Sequence, residues 1–531
     1  MRKIAICLLL SIVLSGFLVG CNNDSENDIR EKQKKIIVNL RQEPPDLNTL
    51  SSYDGVSFNV INHVFEGLTR VDKNQNIVPA VAKNYTISED NLTYTFYIRD
   101  CKWSDGSKIY AKDFEFAIKE VLNPKNLSEH ASMLYMIKNA KKYNAENGLR
   151  EDVGIIAKGD DILEITLENP CSYFLYLTSC SFFMPIKQEF YERQNETYAK
   201  TEQNMIYNGP FIIDYWENDK RILLSKNLNY WDSSNVKLNE IEMLMESNPA
   251  VEYKLFKQHK LDMIDVTGDI LENAINDEYT VKKYLDGVTI YLEFNVNNMY
   301  LKNRNIRKAI TNAIDVEEVC NNILKNGDIK AQALTNPVVK DGSIVVASQS
   351  KNLKKQQIDL AKEYLNMGCR ELKIANTQDI EIGLLTQDSD TAIKEANYYK
   401  ECIENNLEIT VNLISLPFKE NISKYKNGDF DLTVVCVSPD YNSPISYLDM
   451  LSTSKSLTYQ NDTYDNLLEM AKYETNEKRR IEIFKEMENI IATDVPVYPL
   501  YYRHMNYIIN PKIKDIERGA FREFDLTYAH Y

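Results

Sequence analysis

The sequence predicts an α/β protein with more than one domain. Residues 91–98 alternate apolar and polar side chains, which is the period of a half-buried strand. A turn at Asp105-Gly106 separates this strand from apolar residues at the spacing of an amphipathic helix, namely Phe114, Ala117, Ile118 and Val121. The 531-residue chain is too long for one ordinary hydrophobic core and long enough for two or three domains.

The second half of the chain shows the same alternation of helix and strand patterns. Residues 382–386 and 409–414 predict strands around a helix near residues 391–405. Residues 432–437 are almost wholly apolar, which predicts a strand covered on both faces. Asn476 is a candidate cap for a helix with Ile481, Phe484 and Ile491 on its apolar face. Another helix has an apolar face formed by Ile306, Ala309, Ile310, Ala313 and Ile314.

The N-terminal segment has the features of a lipoprotein signal peptide at residues 1–20. Arg2 and Lys3 precede a short apolar run, and Leu18-Val19-Gly20-Cys21 resembles the lipoprotein box of bacteria. The run is shorter than the roughly 20 apolar residues of a membrane-spanning helix. The resemblance implies cleavage before Cys21, a diacylglyceryl group on its sulfur and anchoring on the extracytoplasmic face of the cell membrane. Residues 21–35 are polar and charged, so we predict a lipidated, flexible tether.

The composition argues against two kinds of partner. The formal net charge of −16 disfavours nucleic acid and an electrostatic attachment to anionic lipid. A hydrophobic fraction of 44% and a mean hydropathy of −0.41, without a second long apolar run, are typical of a soluble globular protein.

The residue types that usually carry chemistry form no recognisable pattern. The nine cysteines include Cys7 in the signal and Cys21, and no C-x-x-C occurs. The others are expected to be mostly buried, with one disulfide such as Cys171 with Cys180 left open. No G-x-S-x-G, H-E-x-x-H, P-loop or dinucleotide fingerprint is present, and the five histidines are isolated in sequence. We therefore predict neither an enzyme nor a metal or cofactor site.

A series of motifs in a fixed order carries a family resemblance. Near the first strand they are Ser88-Glu89-Asp90, Leu92-Thr93-Tyr94-Thr95-Phe96, Lys102-Trp103-Ser104-Asp105-Gly106 and Ala111-Lys112-Asp113-Phe114. This order strongly resembles the signature of extracellular solute-binding proteins of the oligopeptide, dipeptide and nickel ABC importers (family 5), and most of all their oligopeptide-binding lipoproteins. Further matches include Phe65-Glu66-Gly67-Leu68, Asn208-Gly209-Pro210-Phe211, Asn229-Tyr230-Trp231-Asp232 and Ile306-Arg307-Lys308-Ala309. We interpret these motifs as scaffold, with turn glycines at Gly67, Gly106 and Gly209 and core tryptophans at Trp103 and Trp231.

The resemblance implies a two-lobed clamp like that of periplasmic binding proteins, with a third, inserted domain and two crossovers between the lobes. Lobe I would comprise residues 36–75, 200–290 and 500–531, with the inserted domain at residues 76–199. Lobe II would comprise residues 291–499. The crossovers would form the hinge on which the clamp closes around a ligand.

The predicted ligand site follows the strand at residues 432–437. Ligands of α/β sheets bind beyond the carboxyl ends of the strands. In peptide-binding members the matching turn holds an aspartate that binds the α-amino group of the ligand, and the resemblance places this role on Asp440. Tyr441 and Asn442 are weaker candidates for the cleft wall. Val437 stands where many relatives have a tryptophan, so one ligand side-chain pocket is expected to differ.

The resemblance implies a monomeric substrate-binding lipoprotein that captures extracellular oligopeptides and delivers them to the permease of an ABC importer. Two alternatives remain open. The same fold could bind another solute, such as a nickel chelate or a sugar, or the protein could be a peptide-sensing surface receptor. The sequence also leaves open that Asp440 only organises its own turn through backbone hydrogen bonds.

Overall fold

The computed structural model describes residues 26–52, 54–349 and 357–531. The predicted signal peptide and Cys21 lie outside these residues. No helix in the described ranges combines the length and the apolar character that a membrane crossing requires.

Strands are distributed over the whole described chain. In chain order they are β1 (Lys35–Asn39), β2 (Thr69–Val71), β3 (Ile77–Pro79), β4 (Ala82–Ile87), β5 (Thr93–Ile98), β6 (Ile155–Ala157), β7 (Ile162–Thr166), β8 (Phe211–Glu217), β9 (Arg221–Lys226), β10 (Glu240–Leu244), β11 (Met263–Asp265), β12 (Lys282–Phe294), β13 (Ile329–Lys330), β14 (Glu381–Gln387), β15 (Thr410–Leu416), β16 (Leu432–Val437), β17 (Val497–Ile509), β18 (Glu517–Gly519) and β19 (Arg522–Asp525).

The α-helices lie between these strands and are longest in the second half of the chain. They are α1 (Glu26–Gln33), α2 (Gly55–Val64), α3 (Ala111–Val121), α4 (Ala140–Asn144), α5 (Phe174–Leu177), α6 (Gln188–Gln194), α7 (Pro249–Lys257), α8 (Gly268–Asn276), α9 (Arg304–Ala313), α10 (Val316–Glu318), α11 (Gly342–Ser348), α12 (Ile358–Leu372), α13 (Asp390–Leu407), α14 (Phe418–Lys426), α15 (Ile445–Leu448), α16 (Asp462–Tyr473) and α17 (Glu477–Asp494).

Three larger sheets organise the molecule. One has the strand order β1-β10-β9-β8, and another has the order β4-β5-β7-β6. The largest has the order β11-β17-β12-β16-β14-β15, with β13 also paired to β17. Strands β2 and β3 form a separate two-stranded pair, as do β18 and β19.

The two longest strands, β12 and β17, contain the predicted crossover positions near residues 290 and 500. Each has 13 residues, and they pair antiparallel from Lys282 opposite Tyr507 to Glu293 opposite Val497. On one side this ladder carries β11, and on the other it carries β16 and the parallel strands β14 and β15. One continuous ladder therefore connects the parts of the chain that the fold separates into lobes. The proposed domain boundaries themselves remain predictions.

Several local predictions are confirmed by the structure. The alternating pattern at residues 91–98 contains β5, and the amphipathic pattern after it lies in α3. The predicted strand, helix and strand around residues 382–414 are β14, α13 and β15. Asn476 caps α17, because its side-chain oxygen accepts the backbone N–H of Arg479 at 3.1 Å.

The prediction of a flexible tether is wrong for residues 26–35. Residues 26–33 form α1, and Lys35 already belongs to β1. The helix is fixed by Arg30, which is buried and donates to Asp262 at 2.9 Å. The helix is therefore held by a buried ion pair between distant residues and not by an apolar face. A hydropathy pattern could not reveal such a contact.

Two of the three predicted turn glycines have a different role. Gly106 has φ +84° and does occupy a turn. A Cβ added to Gly67 would lie 2.6 Å from the carbonyl oxygen of Thr178, and one added to Gly209 would lie 2.5 Å from the carbonyl carbon of Val64. These two glycines therefore allow backbone segments to approach closely.

Three of the family motifs meet at Glu66, whose carboxylate is buried. Its oxygens accept hydrogen bonds from the hydroxyl of Tyr230 at 2.7 Å and from Nε1 of Trp231 at 2.5 Å. Arg70 lies 3.7 Å away, and the side-chain amide of Asn208 donates to the Glu66 carbonyl at 2.8 Å. Burial raises the pKa of Glu66, while these donors and Arg70 act in the opposite direction. The motifs thus form a polar core, consistent with their interpretation as scaffold.

We expect Glu66→Ala to lower the free energy of unfolding by about 3 kcal/mol, because it leaves the buried donors of Tyr230 and Trp231 without their acceptor and removes one of the carboxylates near Arg70. Urea unfolding followed by fluorescence measures this, with Glu189→Ala, a change at an exposed side chain, as the control. A Glu66→Ala protein as stable as the control variant would show that this cluster does not hold the scaffold together.

Candidate functional site

Strand β16 leads to the predicted site, and one of its edges is open along its last four residues. On one side it pairs antiparallel with β12 along its whole length, as far as Val437 opposite Thr289. On the other side its parallel pairing with β14 stops at Thr433. No other described strand pairs with residues 434–437, so their outward-facing backbone groups are available to an added strand.

The prediction that β16 is covered on both faces is wrong beyond its first two residues. Leu432 and Thr433 are buried, but Cys436 is exposed, and partial exposure is found at Val434, Val435 and Val437. In the same part of the sheet, β14 continues beside β15 to Gln387 but does not pair with β16 beyond Leu385, so this part of β16 also has an open edge. The apolar composition of β16 therefore lines an open surface.

Asp440 lies three residues beyond β16 with an available carboxylate. Its backbone N–H donates to the hydroxyl oxygen of Ser446 at 2.6 Å, which fixes the turn. Within the described residues its carboxylate makes no hydrogen bond and no ion pair within 4 Å. The backbone N–H of Asp440 therefore organises the turn, as the alternative expects, while its carboxylate contributes no bond to that turn.

Charged groups around Asp440 influence its titration. Although Asp440 is exposed, desolvation by the surrounding protein atoms raises the pKa of its carboxyl group, and the nearby carboxylate of Asp449 adds to this effect, whereas Lys455 and His130 oppose it. Asp449 itself is held by ion pairs to Lys455 and Lys472, the second at 3.4 Å. Of the two neighbouring aspartates, Asp440 is the one whose charge is not already paired.

Sequence reasoning missed His130, whose charge influences the titration of Asp440 although the two residues are far apart in sequence. Its Nε2 lies 2.8 Å from the carbonyl oxygen of Ser52, so Nε2 carries a proton and donates. Its ring is stacked on Phe182 with the ring centroids 5.0 Å apart. Burial lowers the pKa of His130, while Ser52, Glu129 and Asp440 act to raise it. A single histidine far from Asp440 in sequence gives no signal that could have predicted this electrostatic influence.

The other predicted site residues are brought to the same region, mostly in protein contacts. Tyr441 is 7% exposed and stacks on Tyr173, with the ring centroids 4.1 Å apart and the rings 13° from parallel. The side-chain oxygen of Asn442 accepts the backbone N–H of Lys340 and so holds the segment before α11. Val437 lies on the open part of β16. Their contact with a ligand remains a prediction.

The cysteines in the described part of the chain are all free. Cys171 and Cys180 form no disulfide, and Cys436 is the exposed one among those described. No group of three or more metal-binding side chains is found in the described ranges.

The family of the chain follows from comparison with known proteins. Residues 76–458 match the description "Bacterial extracellular solute-binding proteins, family 5 Middle". The chain belongs to this family of bacterial extracellular solute-binding proteins and has its two-lobed α/β clamp fold. The predicted family and fold class are thereby confirmed.

Individual relatives align over nearly the whole chain. It is 30% identical to the dipeptide-binding protein DppE of Bacillus subtilis (strain 168), with 98% of this chain and 97% of that protein covered. It is also 30% identical to the oligopeptide-binding protein OppA of the same organism, with 99% and 98% covered. The solved structure of Listeria monocytogenes OppA bound to peptide matches with a TM-score of 0.73 at 27% identity, covering 94% of this chain and 99% of that chain.

Proposed function

We propose that this protein is the substrate-binding lipoprotein of an ABC importer and captures extracellular oligopeptides that have a free amino terminus. The observation that carries the proposal is the open edge of β16 leading to the unpaired carboxylate of Asp440. The peptide-binding relatives support the same ligand class.

The open edge provides binding energy that does not depend on the peptide sequence. An extended peptide laid along residues 434–437 would satisfy backbone groups that β14 leaves unpaired. Backbone hydrogen bonds are common to all peptides, so side chains affect affinity only through the pockets they enter. This geometry therefore favours broad specificity.

Asp440 sets the direction in which a peptide binds, because its carboxylate binds the amino-terminal end. A ligand ammonium enclosed between the lobes needs a carboxylate within hydrogen-bond reach, because an unpaired buried charge is costly. Asp440 is free to supply it without breaking an existing ion pair. Neighbouring Asp449 is not free, because Lys455 and Lys472 already bind it.

Asp440→Asn should weaken binding of a free peptide by about 2 to 5 kcal/mol, since it removes one partner of an enclosed charge pair. The same peptide with an acetylated amino terminus should bind poorly to the wild-type protein and lose little further affinity in the variant. Titration calorimetry with both peptides and both proteins measures this coupling. Asp449→Asn is the matched control and should have a much smaller effect.

Equal binding of the free and acetylated peptides would contradict the role of Asp440. Binding of a nickel chelate or a sugar, with no response to any peptide, would contradict the proposed ligand class and favour the alternative solutes.

Affinity for free peptides should fall as the pH is lowered into the range in which the carboxylate of Asp440 takes up a proton. Asp440 binds an ammonium only when ionised, and its raised pKa in the free protein lets protons compete at a higher pH than at an ordinary aspartate. Protonated His130 adds a competing cation, and its lowered pKa confines that effect to acidic solution. The affinity is therefore complete above the pKa of Asp440 in the free protein and is lost as the pH falls through it.

Calorimetry between about pH 4.5 and 7.5 checks this pH dependence. Asp440→Asn should give a flatter profile than the wild-type protein. Identical profiles for the two proteins would argue that neither group controls binding.

The proposal also includes a lipid anchor on Cys21 and delivery to a membrane permease. Cys21→Ser should release the protein from the membrane fraction of cells, whereas Cys7→Ser, a change within the predicted signal, should leave it attached. Deletion of the protein should abolish peptide uptake. A membrane-bound Cys21→Ser protein would contradict the anchor, and undiminished uptake after deletion would favour a sensing receptor.

A further inference from the structure

Gly287 lies where three separate segments meet beside the ligand site. It is buried, has φ +83° and lies in an irregular part of β12, where the register with β17 shifts between Leu285 and Thr289. The turn residue Pro439, directly before Asp440, approaches Gly287 from one side, and Ala520 at the tip of the β18–β19 hairpin approaches as well.

The contact leaves no room for a side chain. A Cβ added at Gly287 would lie 2.8 Å from the Cβ of Ala520 and 3.0 Å from both Cγ and Cδ of Pro439. Neither neighbour is the end of a flexible side chain, so one segment would have to move.

Each of the three segments is held by bonds to its surroundings. A displacement of one segment at this contact is therefore expected to move its neighbour. The carbonyl of Gly287 accepts the hydroxyl of buried Tyr447 at 2.6 Å, and Asp286 forms an ion pair with Arg503 at 2.6 Å. The hairpin is fixed by the ion pair of Arg518 with Asp265. Beside Ala520, the ring of Phe521 meets that of Tyr176 edge-on, with the centroids 5.1 Å apart.

We propose that Gly287 is a positioning residue. Because it has no side chain, the C-terminal hairpin at Ala520 and the turn at Pro439-Asp440 can both approach its backbone closely. This close approach places Asp440 within reach of its ligand. This inference rests on the proposed function, because it assigns Gly287 an effect on ligand affinity. Gly287 itself touches no ligand and acts only through the position of the Pro439-Asp440 turn.

The test compares two glycines with nearly the same backbone conformation. Gly106 has φ +84° and no atom within 4 Å of an added Cβ, so Gly106→Ala carries the backbone strain without the steric contact. Both alanine variants should lose stability in thermal unfolding, and Gly287→Ala should lose more because it adds the steric contact to the same backbone strain. Only Gly287→Ala should weaken binding of a free tripeptide, by about tenfold, mainly through faster dissociation.

Two further variants separate positioning from general damage. Ala520→Gly combined with Gly287→Ala should recover much of the lost affinity, because it removes the nearest contacting atom. Ala520→Val introduces the same crowding from the hairpin side, keeps Gly287, and should also weaken binding. This variant tests the contact if Gly287→Ala does not fold.

Wild-type affinity in both Gly287→Ala and Ala520→Val, or an equal loss in Gly106→Ala, would overturn the positioning role while the proposed function stands. A wild-type protein that binds no free peptide would instead overturn the proposed function, and this inference with it.

Discussion

The antiparallel pairing of β12 with β17 is the interaction on which the rest of the structure depends. These two strands extend through the largest sheet and carry β11 at one side and β16 at the other. Because β16 takes its register from β12, the position of Asp440 is set by the same ladder that joins the lobes. A change in the geometry of this ladder is therefore expected to reach the ligand site directly.

The site depends on groups that the fold leaves unsatisfied. The outward-facing backbone groups of residues 434–437 have no described strand on the side away from β12, and the Asp440 carboxylate has no ion-pair partner among the described residues, although Lys455 and His130 influence its titration. The scaffold shows the opposite behaviour, since Glu66 collects several donors in the core. Unpaired groups cost stability and persist where a ligand can satisfy them. This contrast distinguishes the binding surface from the structural motifs of the same family.

Local periodicity and motif order were sufficient to predict β5, α3, the β14-α13-β15 unit and the family. They also identified the turn at Asp440, because a ligand site commonly follows a buried strand. The open edge was not predictable, since it arises where β14 separates from β16 after Leu385. The electrostatic influence of His130 on Asp440, the Tyr173–Tyr441 stack and the Arg30–Asp262 pair involve residues far apart in sequence, and no pattern in one sequence records such interactions.

The central claim is that a peptide binds as an added strand on β16 with its amino terminus at Asp440. Amide hydrogen exchange across residues 434–438, measured with and without saturating free peptide, tests it most directly. The account predicts that the peptide slows exchange at the outward-facing amides of this segment in the wild-type protein. Unchanged exchange there, while calorimetry shows that the peptide is bound, would contradict it.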